Sequence, residues 1–123
     1  MVIMEKLLEK MKEYLKMDTE IPFGEFSEYY HEVIDHLQAN YDGMTKEDMF
    51  SAKYILLIVA SNATARSQRK GDVSKKFKKM GEKADFWSKA INFRLINEGM
   101  SQAEIDEAVA NVIPDEPEDQ VTE

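Results

Sequence analysis

The chain contains no cysteine, and its 123 residues include only 3 prolines and 5 glycines. Without thiols there is no disulfide scaffold, zinc finger, iron–sulfur cluster or cysteine nucleophile. The longest apolar run, residues 54–60, falls far short of the roughly 20 residues that a membrane-spanning helix needs. Glu5 and Glu9 interrupt the stretch where a secretory leader would carry its apolar region, so a cytoplasmic protein with no membrane partner is expected. A glycine-rich phosphate loop is also missing, as is any internal repeat.

What is present fits one helical domain. A length of 123 residues with 43% hydrophobic content is ordinary for a single globular unit. The net charge of −8 is unevenly spread. Residues 66–83 carry eight of the 16 basic side chains and are net +6, whereas residues 101–123 hold eight acids and no base. Such asymmetry bears on partners rather than on fold.

Hydrophobic spacing predicts helices. Leu7, Leu8, Met11, Tyr14 and Leu15 share one face over residues 3–16. Pro22 ends that pattern, and Phe26, Tyr30, Val33, Ile34 and Leu37 start a second helix spanning residues 24–40. Asp42-Gly43 supplies a turn, and Thr45 with Asp48 resembles a capping box. The third helix, residues 46–70, is apolar all round in its middle, as expected of a central or partner-covered helix. Gly71-Asp72 is the only break before a fourth helix, with Asp72 the expected N-cap and Val73, Phe77, Met80, Ala84, Trp87, Ile91 and Leu95 as its stripe. Ser101 and Glu104 open a short fifth helix that Pro114 terminates. The expected fold is all-α: an antiparallel bundle of four main helices plus a short C-terminal helix, with a long hairpin of helices 3 and 4. Residues 1–113 form the domain, and residues 114–123, with two prolines and five acids, form a disordered acidic tail.

The chemistry that this pattern supports is binding. A sharp hairpin at residue 71 would gather Arg66, Arg69, Lys70, Lys75, Lys76 and Lys79 into one positive spot, suited to nucleic acid or phosphate groups. Lysines in the first turns of a helix oppose its dipole, so capping alone does not explain them. Acids at 115–119 could fold back on this spot and compete with a polyanion. On the second helix, Glu28, His31 and Asp35 share a face, but one Glu-x-x-His step lacks the second motif and extra glutamates of a di-iron bundle. His31-Glu32 begins like a zincin motif, yet Asp35 stands where the second histidine belongs, so no metal or cofactor is expected. Ser61, Thr64 and Ser67 have no histidine nearby in sequence, so no catalytic residue is expected. Trp87, Phe86, Phe93, Tyr29 and Tyr30 are too many aromatics for one small core, which points to a protein partner or a homo-oligomer. In style (short, cysteine-free, Met-rich, acidic at its end) the chain resembles small bacterial and phage proteins. The expectation is a non-enzymatic regulatory or interaction protein; the alternative is a binder of nucleic acid or of a phosphorylated small molecule.

Overall fold

Pro22, with its fixed φ and missing donor, sits at the N-cap of the second helix and lets it begin one residue earlier than expected. The computed structural model describes residues 3–113, so the acidic tail expected over 114–123 lies outside the described residues. The helices are α1 (Ile3–Leu15), α2 (Phe23–Asn40), α3 (Lys46–Ser67), α4 (Ser74–Asn97) and α5 (Gln102–Ala110), with a 3₁₀ turn at Tyr41–Gly43. Among the described residues there is no strand. The chain is a helical bundle in which α3 and α4 pack along their lengths as a hairpin.

Side-chain contacts fix the helix directions. Tyr14 meets Glu25 while Leu7 meets Tyr29, so α1 and α2 are antiparallel. Phe26 meets Phe77, and Tyr41 meets Trp87, so α2 and α4 run the same way. The shared core contains Leu37, Met49, Ile55, Leu56, Ile91 and Leu95, each fully buried. Burying one such side chain contributes about 1.5–3 kcal/mol relative to leaving it in water. Tyr29 and Tyr30 belong to this core, not to the surface. The Tyr29 hydroxyl donates to the Leu7 carbonyl at 2.6 Å, and its burial pushes the phenol's pKa above the ordinary value.

The hairpin turn differs from expectation in two details. Helix α3 stops at Ser67, three residues early, where the Ser67 hydroxyl donates to the Thr64 carbonyl at 2.7 Å. That local bond competes with helix continuation. Asp72 is not the cap: Val73 holds the N-cap position without a side-chain bond, and the Ser74 hydroxyl instead donates to the Ser67 carbonyl at 2.7 Å. Gly71 turns the chain with φ +150°, a conformation open to glycine. Ten residues further on, Gly81 serves the packing. A Cβ there would lie 3.0 Å from Thr64 Oγ1 and 3.4 Å from Ala63 Cβ, so the missing side chain lets α3 and α4 approach closely.

The opposite end of the hairpin is closed by polar contacts. Ser101 and Glu104 form the expected capping box at the start of α5. Gln102 and Asn92 exchange amide hydrogen bonds of 2.9 and 3.0 Å between α5 and α4. Arg94 lies across the Tyr41 ring, donates to the Tyr41 carbonyl and, at 3.1 Å, to the Asp42 carbonyl, and pairs with Glu98 at 3.1 Å.

Candidate interaction surface

The turn after α3 brings the ends of α3 and α4 together, but it divides the six cations. Arg69 makes a two-pronged bond to Glu20, with oxygens at 2.8 and 2.5 Å. That pairing holds the Glu20 carboxyl below its usual range. Arg66 approaches the same carboxylate at only 3.8 Å. Its guanidinium instead packs over Phe77, 4.5 Å from the ring centroid, and Phe26, at 5.3 Å. Lys76 turns toward Phe23, 5.8 Å from the ring centroid. Lys70, Lys75 and Lys79 are exposed and form no ion pair with a described residue. Glu20, an acid that nothing in the sequence singles out, therefore pairs with Arg69 and lies near Arg66. It lies in the connection between α1 and α2, outside any periodic pattern.

The outer face of α4 carries the second feature. Phe77, Met80, Gly81, Ala84, Ser88, Ile91 and Leu95 are buried. Steps of three and four on the far side then align Lys75, Lys79, Glu82, Phe86 and Phe93 away from the core. Phe86 is 63% exposed and Phe93 67% exposed, and Ile96 is exposed beside them. The N-terminal half of this face is cationic, and the C-terminal half carries the two rings on either side of Lys89, which pairs with Asp85 at 3.1 Å. Phe86 stands edge-on to Trp87, which stands edge-on to Tyr41. Phe86 therefore rises from a packed aromatic base.

The remaining sequence candidates stay dispersed. Glu28, His31, Glu32 and Asp35 lie exposed along α2, with the His31 ring against Tyr30. His36 Nδ1 lies 3.1 Å from Asn40 Nδ2. Lys53 reaches the buried Ser88 hydroxyl at 3.4 Å, and burial lowers its pKa despite Asp106 and Asp85 nearby. No described helix is long and apolar enough to cross a membrane.

Asn111 lies with Lys46 and Phe50 near the start of α3, whereas Lys70 lies beyond its far end. A helix of 22 residues is about 33 Å long. The expected fold-back of residues 115–119 onto the turn lies outside the described residues.

The fold and the exposed face define an all-α hairpin bundle bearing a half-cationic, half-aromatic outer helix face. No family model matches the chain. No curated protein and no solved structure matches it either.

Proposed function

We propose that this is a non-enzymatic interaction protein, and that the outer face of α4 docks a macromolecular partner. The observation that carries this is the pair Phe86 and Phe93, seven residues apart on one face and each more than 60% exposed. Large aromatics at helical spacing, open to water and backed by rigid packing, are the anchors that dominate protein interfaces. Lys75 and Lys79 continue the face toward the hairpin turn. An amphipathic acidic helix is the partner chemistry that matches both halves, its apolar side on the phenylalanines and its carboxylates on the lysines. The binding of nucleic acid has less support, because Arg69 is paired with Glu20 and Arg66 is largely buried against Phe26 and Phe77, which leaves fewer exposed cations for phosphates.

The test is capture from the native cell by the wild-type chain and by Phe86→Ser/Phe93→Ser. Neither ring is in the core, so the double variant should keep its circular dichroism and thermal midpoint, with stability changes within about 0.5 kcal/mol per site. A protein partner held by the wild type and lost by the variant supports the proposal. Equal capture by both overturns it, as does a captured nucleic acid whose affinity falls steeply with salt.

A further inference from the structure

A cavity of about 290 Å³ lies between the end of α1, the α1–α2 connection and α3, away from the outer face of α4. Its walls are mainly apolar, with Met11, Ile21, Phe26, Ile58 and Val59 among the lining residues. Leu15 and Met17 line it too, and both are exposed, which gives the cavity an apolar rim. Pockets that hold small ligands begin at about this volume.

One wall is charged. Arg66 lines the cavity with a side chain only 11% exposed. Its ring contacts with Phe26 and Phe77 satisfy the flat face of the guanidinium, not the in-plane N–H donors. Among the described residues, its ion-pair contact is the 3.8 Å approach of Nε to Glu20 Oε1, too long for a hydrogen bond. Glu20 spends both oxygens on Arg69. Glu20 and Asp18 also line the cavity, but both are exposed, so water screens them at the mouth. The charge that lies inward is therefore the cation. A largely buried guanidinium with open donors beside an apolar chamber is complementary to one carboxylate on an apolar body.

We propose that this cavity binds a small amphipathic carboxylate of the medium-chain fatty acid class. The chain lies against Met11, Ile58 and Val59, and the carboxylate accepts from the in-plane N–H groups of Arg66. The site is independent of the α4 face, and the two proposals can fail separately.

The probes are decanoate, decanol and decyltrimethylammonium, each below its micelle concentration. Binding is followed by titration calorimetry, and the methyl NMR shifts of Met11, Ile58 and Val59 locate the site. Decanoate should bind with shifts confined to the cavity, and decanol about tenfold or more weaker. Arg66→Met keeps the apolar stem over the rings and should lower decanoate affinity to that of decanol. Should Arg66→Met fold poorly, Ile58→Phe fills the chamber and should abolish binding of decanoate while leaving α4 unchanged. Equal binding of decanoate and decanol, preference for the cationic probe, shifts outside the cavity, or full affinity in Ile58→Phe would each overturn the proposal.

Discussion

Arg66 and Arg94 each lay a guanidinium across aromatic rings, at opposite ends of the α3–α4 hairpin. Arg94, 23% exposed, donates to two backbone carbonyls and a carboxylate. These close the end of α2 and the 3₁₀ turn onto α4. Arg66 is more buried and less bonded, because its nearest carboxylate is taken by Arg69. The same side chain is thus a structural clasp at one end and an unspent donor at the other. The difference comes from what surrounds it: free carbonyls at a helix C-terminus in one case, and phenylalanine faces beside a cavity in the other.

Substitution separates the two roles most sharply. Arg94→Ala leaves the Tyr41 and Asp42 carbonyls without their charged donor and removes packing from the Tyr41 ring. It should cost about 1.5–3 kcal/mol in denaturant unfolding. Arg66→Met should change stability by less than 1 kcal/mol, since replacing a poorly paired buried charge by an apolar side chain of similar length is often neutral. Equal losses in the two variants would erase the contrast.

A smaller effect is expected from acid. The Arg69 guanidinium holds Glu20 below its ordinary range, so the pair adds stability above that range and loses it as pH falls through the lowered value. Glu20→Gln should therefore have a lower thermal midpoint than wild type near neutrality, with the two curves converging in acid. Parallel curves at all pH values would show that the pairing contributes nothing.

The smallest effect is a predicted null. Removing residues 114–123 should leave binding of a duplex DNA probe at 0.1 M salt within about twofold, because Lys70, Lys75 and Lys79 are exposed and salt at that concentration weakens attraction between exposed charges. A gain of tenfold, measured by fluorescence anisotropy, would mean that the acids do act on the hairpin turn.

Much of the fold was legible in the sequence because helix formation follows local rules. The apolar spacing of α4, the Thr45 and Ser101 caps and the glycine turn at 71 all read directly. The start of α4 did not, because the Ser74 hydroxyl bonds to a carbonyl seven residues earlier, across the turn. The candidate site was legible only in part. Periodicity marked Arg66 and Arg69 as cations near a helix end, where their neighbours in sequence are small or polar. The carboxylate that Arg69 takes and Arg66 lacks, Glu20, is about fifty positions away along the chain, and nothing in its own surroundings announces it.

The sequence by itself determined that the described residues are helical, how many helices they form and where charge concentrates, because each depends on residues within a turn or two of one another. Tertiary structure alone decided which aromatics are buried and which are exposed, why Gly81 must be small, and which arginine keeps free donors. Those outcomes depend on contacts between helices. A side chain's bonding is settled by whatever the packing places beside it, and in this bundle that came from the α1–α2 connection and from the facing helix.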